Sequence, residues 1–350
     1  MEITREFKNY IIKAEKLLRG ESGVLKYICF HDDVRISGTN LNEWIEFNAP
    51  DPHGLNGVLL DVGKLRKVLT IFKWDAEIDR EGDRVYVQKG KAKKYMDNDG
   101  GLTALHYPEA PQAVDVVGAL DQRCIDAYNT CRRFASTDTT RAFMNGVYFS
   151  EKDDTVATDG RRMHLVKHEH VLKYPVTIGL SDQLENVLIA QAKVVSLGHG
   201  KNMLIVDTDE NITYAIRDVQ GQFPNYKRVI PTYRDADHQR VTVDKEFFAV
   251  VAEALQFMKV EKDKFNRVYV LKDRIAFSPQ EYNASVAFDY ERLIDTGFDS
   301  TFAANAQYLK DLSDAVGFDF DVRYNNAAQA IVFLRDDHVH VLMPMQLVSV

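Results

Sequence analysis

The feature that most constrains this chain is a pattern that recurs three times along its 350 residues. Repetition at a long fixed period marks one supersecondary unit copied in tandem. Each copy opens with a helix-like segment carrying an apolar stripe at i, i+3, i+4 and i+7 type spacing. These segments are Glu2–Leu18, with Phe7, Ile11 and Leu18; Gln122–Ala135, with Cys124, Ala127, Tyr128, Cys131 and Ala135; and Asp244–Met258, with Phe247, Val251, Leu255 and Met258. An acidic turn then opens a strand pair at Asp33, Asp154 and Asp273. A second helix follows at Asp61–Phe72, Ser181–Ala190 and Ala304–Val316, and an alternating strand ends each copy at Arg84–Gln88, Met203–Asp207 and Ala330–Leu334. The landmarks return roughly every 120 residues. The expected fold class is α+β: three tandem copies of one domain, each with two helices packed on antiparallel sheets, over residues 1–112, 113–232 and 236–350. The polar, proline-bearing stretches His106–Ala113 and Pro231–His238 suit linkers.

Composition narrows the class without deciding it. Hydrophobic residues make up 45% and charged residues 27%, ordinary for a soluble globular chain. No apolar run approaches the ~20 residues of a membrane helix, and the first residues lack a signal-peptide layout. The three cysteines, Cys29, Cys124 and Cys131, form no paired framework, which suits a reducing cytoplasm. Cys124 and Cys131 lie about 10 Å apart along a helix, too far for a disulfide, so core packing is expected. The net charge of −8 argues against a nucleic-acid partner only if charge is evenly spread.

Catalytic constellations are weak. Gly198-His-Gly-Lys201 lacks the spacing of a phosphate loop and reads as a hairpin turn. His168-Glu-His170 and His338-Val-His340 place alternate side chains on one strand face, the start of a metal site without a third ligand, and read better as exposed strand polars. Asp207-Thr-Asp-Glu-Asn211 lacks a calcium-loop frame. No Gly-x-Ser-x-Gly nucleophile motif occurs. A metal-assisted hydrolase built on His168/His170 or His338/His340 is the competing enzyme reading, and a protein-interaction scaffold that forms no ring is another.

Several strings resemble the beta sliding clamp family of bacterial DNA polymerase III. They are Arg141-Ala-Phe-Met-Asn-Gly146, Val156-Ala-Thr-Asp-Gly-Arg-Arg-Met163, Gly221-Gln-Phe-Pro-Asn-Tyr-Lys-Arg-Val-Ile-Pro231, Asn305-Ala-Gln-Tyr308 and Val341-Leu-Met-Pro-Met-Gln-Leu347. Their order and spacing follow the family, most strongly in the second and third copies. The resemblance implies a DNA-clamp fold, closed head to tail by two subunits into a ring of six domains with helices lining the hole. It implies a non-catalytic processivity factor, without cofactor or metal, that encircles duplex DNA independently of sequence. The implied partners are a polymerase, a clamp loader and other proteins that carry a clamp-binding peptide.

The resemblance also implies where partners meet the chain. A peptide pocket between the second and third copies would be lined by Met144, Thr158, Gly160, Arg161, Arg162, Met163, Pro224, Arg228, Val229, Asn305, Tyr308, Val341, Met343, Pro344 and Met345. Methionines make such a surface adaptable to several peptides. Cations clear of the apolar stripes would face DNA: Lys8, Lys16, Arg19, Lys64, Lys67, Arg132, Arg133 and, in a loop that touches DNA in the family, Arg141. Sheet edges bearing Tyr95 and Met96 on one subunit and Phe257 and Met258 on the other would close the ring. Departures from the family are Asp138 and Ala142 in that loop, Arg161 where many members have His, Gln346 in place of Arg, and the extension Val348-Ser-Val350.

Overall fold

The computed structural model describes residues 1–49, 54–96, 107–109, 115–180, 195–200, 203–208, 211–217, 219, 221–231, 238–262, 265–278, 288–326 and 328–346. The helix expected at Ser181–Ala190, much of both linkers and the residues after Gln346 lie outside them.

The elements repeat in order. Helix α1 (Arg5–Leu17) precedes strands β1 (Tyr27–Phe30), β2 (Arg35–Thr39), β3 (Glu43–Asn48) and β4 (Leu59–Asp61), then helix α2 (Val62–Ile71) and strands β5 (Glu77–Glu81), β6 (Arg84–Lys89) and β7 (Ala92–Met96). The second round is β8 (Asp115–Leu120), α3 (Gln122–Cys131), β9 (Gly146–Phe149), β10 (Asp154–Thr158), β11 (Arg162–Lys167), β12 (Val176–Gly179), then β13 (Val195–Gly200), β14 (Met203–Thr208) and β15 (Ile212–Arg217). The third is β16 (Gln239–Val243), α4 (Lys245–Val260), β17 (Arg267–Val270), β18 (Arg274–Phe277), β19 (Tyr290–Leu293), β20 (Phe302–Asn305), α5 (Ala306–Val316), β21 (Phe320–Tyr324), β22 (Ile331–Arg335) and β23 (His338–Leu342). The strand expected to end each copy is followed by one more, because each closes a hairpin onto β7, β15 or β23.

The helices begin where short polar side chains cap them. Thr4, Asp61, Asp244 and Asn305 accept from backbone amides of α1, α2, α4 and α5, and Asp121 accepts from Cys124 N. Each such cap is worth about 1 kcal/mol.

Sheet order repeats as well. The first strands of the rounds align as β4-β1-β2-β3, β12-β9-β10-β11 and β20-β17-β18-β19. In each, the fourth strand returns beside the first, a Greek-key order. The later strands align as β5-β6-β7, β8-β13-β14-β15 and β16-β21-β22-β23, with the bridge Glu2–Glu77 standing where β8 and β16 pair in the later rounds.

The chain forms two compact units. In the first, Met1–Ile125 with Val171–Tyr174 and Ile178–Asp218, β3 pairs antiparallel with β15 to fuse two strand groups into one eight-stranded sheet. Phe7, Tyr10, Ile11 and Ala14 of α1 and Leu65 and Leu69 of α2 are buried, and Tyr10 stacks on Phe47 at 5.5 Å. The second comprises Asp126–His170, Pro175–Thr177 and Val219–Val350. There β11 pairs with β23 in the same manner. Its core joins Phe247, Val251, Leu255 and Met258 of α4 to Leu309 and Leu312 of α5 and to Phe298, Phe320 and Phe333. Burying each such side chain contributes about 1.5–3 kcal/mol, so these stripes fix which helix face turns inward. The three cysteines are buried, and none forms a disulfide. No helix among the described residues is long and apolar enough to cross a membrane.

Candidate functional site

The second unit contains an apolar cavity of about 140 Å³. Ligand pockets usually span ~300–1,000 Å³, so this one suits a side chain or two rather than a cofactor. Its floor comes from β11 and β23, whose register sets Met163 opposite Val341 and Arg162 opposite Leu342. The turn Asp159-Gly160 between β10 and β11 forms one rim. Gly160 has φ +85°, a conformation that a Cβ would strain. Asp159 Oδ1 accepts from the backbone of Arg161 (2.9 Å) and Arg162 (3.0 Å), and Thr158 Oγ1 donates to Arg162 O at 2.7 Å. The opposite rim is the 3₁₀ turn Tyr226–Arg228, anchored where Tyr226 OH donates to Asp154 Oδ2 at 2.6 Å. Burial, followed by that bond, pushes the Tyr226 phenol well above its ordinary range.

Among residues read from the sequence, Met144, Thr158, Arg162, Met163 and Val341 are buried in the wall. Gly160, Arg161, Val229 and Met343 are its exposed parts, and Pro224 is half-buried. Asn305, Tyr308, Arg228, Pro344 and Met345 are not on the wall. Asn305 Oδ1 caps α5, and its Nδ2 donates to the carbonyl of Phe265, itself 62% exposed. Met345 N donates to Ala303 O on β20. Tyr308 acts one layer back, through Arg162. That guanidinium is buried and spans Asp311 Oδ2 (2.7 Å), Asp159 Oδ2 (3.1 Å) and Arg133 O (3.2 Å), between the rings of Tyr308 (4.1 Å) and Phe134 (5.2 Å). A buried cation is tolerable only with such compensation, so Arg162 braces the wall from behind. Burial raises the Tyr308 pKa, with the Asp159 carboxylate adding to it.

A larger cleft of about 670 Å³ shares the Pro224–Tyr226 wall. It is polar and open, and its buried carboxylate Asp154 is already held by Tyr226 and, at 3.6 Å, by Lys227. The smaller cavity is the one that can desolvate an apolar anchor.

The helices of the first unit carry the cations read as DNA-facing. Lys16, Lys64 and Lys67 are exposed. Arg19 is exposed and bonds Glu15, which also pairs with Arg66. Lys8 is half-buried, its ammonium 5.3 Å from the Trp74 ring. In the second unit Arg133 is exposed and Arg132 half-buried. Arg141 stands at the cavity: a Cβ on Gly160 would lie 3.2 Å from its Nη1. At the sheet edges, Tyr95 on β7 is half-buried and donates to Glu81, and Met96 is buried. Phe257 is 46% exposed and stacks on Tyr290 of β19 at 4.9 Å, whereas Met258 belongs to the core.

The histidines differ from the expectation of exposed strand polars. His340 is 1% exposed, pairs with His164 across β11 and β23, and lies 5.1 Å from the Phe134 ring. His164 contacts His340 Nδ1 (3.4 Å) and His338 Nδ1 (3.1 Å) from opposite ring nitrogens, so the three do not converge on one point. His168 bonds Thr155 Oγ1 at 2.6 Å, and His170 Nε2 donates to Ser150 O at 2.8 Å. Alternation marked one side of β23 as solvent; the packing of Phe134 against His164 and His340 turns that side into core. A hydrolase using these pairs is not favoured.

Sequence reading passed over Asn225 and Tyr226 on the wall and Asp311 behind it. The first two lay inside a quoted string; Asp311 carried no local signal.

No family model matches the sequence. The beta sliding clamp of Escherichia coli is 24% identical over 261 residues, 68% of this chain and 66% of its own length, just under two thirds. That of Treponema pallidum is 24% identical over 235 residues, 60% of each chain. Among solved structures, DNA polymerase III subunit beta of Pseudomonas aeruginosa superposes with TM-score 0.78 at 17% identity, covering 97% of this chain and 98% of the other. The beta subunit of Thermotoga maritima gives 0.75 at 19% identity, covering 99% and 98%. Weak identity with near-complete structural coverage means that the fold is kept in a diverged sequence: the chain is similar to the bacterial beta sliding clamps and has their fold.

Proposed function

We propose that the protein is a DNA sliding clamp, a non-catalytic processivity factor built from three copies of one module over 1–112, 113–232 and 236–350, acting in the cytoplasm. Two copies close head to tail around duplex DNA. The observation that carries this reading is the joint between strand groups. β3 joins β15, and β11 joins β23, each pairing a third strand with the last strand of the following round. By the same rule β19 seeks a last strand, and β7 is the last strand left over. Both are sheet edges among the described residues, and a second copy offers each the strand it lacks. Head-to-tail pairing of two copies at these edges would close the ring.

Inside such a ring, Lys8, Lys16, Arg19, Lys64, Lys67, Arg132 and Arg133 supply attraction to phosphates without reading bases, which permits sliding. Purified protein should remain on nicked circular duplex once a loader and ATP are supplied, and leave when the circle is cut. Equal retention on circles and linear DNA would contradict topological capture.

The apolar cavity serves as the dock for polymerase and other partners. Val229 is 52% and Met343 46% exposed, so replacing both with Ser spares the core. The pair should weaken partner-peptide binding by about tenfold, from the lost apolar contact, with melting temperature unchanged. Unaltered affinity by fluorescence anisotropy would place the dock elsewhere.

A further inference from the structure

The rim of the cavity is more basic than the chain around it. The whole molecule carries a net charge of −8, yet no described residue lining the cavity is a carboxylate. The neighbouring Asp159 is committed to Arg162 and to two backbone amides. Three exposed arginines stand at or beside the rim. Arg141 overhangs Gly160 and has only a loose contact, 3.9 Å, with Asp138. Arg161 lies on the wall, and its backbone carbonyl is fixed by Met343 N at 2.9 Å. Arg228 sits between the wall residues Tyr226 and Val229. Neither Arg161 nor Arg228 has a carboxylate within ion-pair distance among the described residues. By contrast, half-buried Arg274 pairs with Asp273 and Glu291, and half-buried Lys310 with Asp314. Guanidinium groups that are free or only loosely paired around a small apolar hole make a site with one apolar and several anionic requirements.

Building on the peptide-dock reading, we propose that the partner segment carries acidic residues on both sides of an aliphatic anchor, and that Arg141, Arg161 and Arg228 select it by charge. The anchor fills the 140 Å³ cavity. The flanking carboxylates meet the guanidinium groups in paired hydrogen bonds, which Arg supports better than His or Lys. The same cations would attract a single nucleic-acid strand. Such strands are held by stacking on open aromatic faces, and Tyr226, the one aromatic on the described wall, is 7% exposed. The chemistry of the wall therefore favours peptide.

The test uses the full chain and three labelled ten-residue peptides with a central Leu-Leu pair, flanked on each side by two Glu, two Gln or two Lys. At low salt the Glu peptide should bind about tenfold tighter than the Gln peptide, a sum of modest exposed pairs. It should also exceed the Lys peptide, and the advantage should vanish near 0.5 M salt, where the Debye length is only a few ångström. The triple variant Arg141→Gln/Arg161→Gln/Arg228→Gln should bind the Glu and Gln peptides equally. Equal binding of Glu and Gln peptides by the unaltered protein overturns the charge proposal while leaving the dock intact. Displacement of the Glu peptide by a sixteen-residue oligo(dT) overturns it in favour of nucleic acid. If no peptide binds, and the Val229→Ser/Met343→Ser protein behaves identically, the dock itself is wrong.

Discussion

Lowering the pH from 8 to 5 is expected to cost the wild-type protein about 2 kcal/mol of stability that a His340→Phe variant retains. The cause is the buried histidine cluster at the β11–β23 joint. Burial, with a contribution from the Arg162 charge, lowers the His340 pKa to about 3. Burial and the neighbouring histidines and Arg162 also depress His164, and burial depresses His338 against the pull of Asp337 and Asp336. A histidine in the unfolded chain titrates near 6.5. Between pH 6.5 and 3 the unfolded chain therefore binds a proton that the folded chain refuses. Stability is full above pH 6.5 and falls below it by roughly 1.4 kcal/mol per pH unit for one such group. A phenylalanine carries no proton and fits beside Phe134 and Phe333, whose rings lie 5.1 and 6.1 Å from His340. Urea midpoints by circular dichroism, measured at both pH values, give the comparison. Both tryptophans, Trp44 and Trp74, lie in the first unit, so their fluorescence reports separately on the part without this cluster. Parallel loss of stability in wild type and variant would show that acid acts elsewhere; His340→Leu repeats the comparison should Phe overpack the site.

The same cluster shows where sequence reading ran short. The repeat was legible because each apolar stripe obeys a period that only one face of a helix can satisfy. Residues such as Phe7, Tyr128, Val251 and Leu309 are accordingly buried. Pocket residues were legible through strings whose local geometry is self-contained, such as the Asp159-Gly160 turn with its backbone hydrogen bonds. His340 and Arg162 were harder. Their burial depends on Phe134, Asp311 and the β11–β23 pairing, all distant in sequence. Alternation tells which side of a strand a residue occupies and nothing about what will cover that side. Arg141 is the related case: the resemblance turns its loop toward DNA, and only the approach of the Gly160 hairpin gives its guanidinium a place at the cavity.

The largest expected effect is on assembly. Phe257→Lys with Leu293→Lys should convert a dimer to a monomer at micromolar concentration and abolish retention on circular DNA. Phe257, Val260 and Leu293 are 46%, 75% and 71% exposed, and Tyr290 stacks on Phe257 beside them. Exposed apolar side chains along an unpaired strand edge are unusual in a monomer, because the edge invites pairing with another chain. The β7 edge that would meet it displays Lys93 and Lys94 around Tyr95. Introduced lysines would face lysines, with the backbone pairing and apolar burial lost together. The substituted residues are exposed, so the fold of each copy should persist, with unchanged circular dichroism and melting. Light scattering reads the result directly. A wild-type protein that is monomeric at micromolar concentration cannot enclose DNA, and a doubly substituted protein that stays dimeric and ring-competent would mean that the edges of β7 and β19 are not the joint.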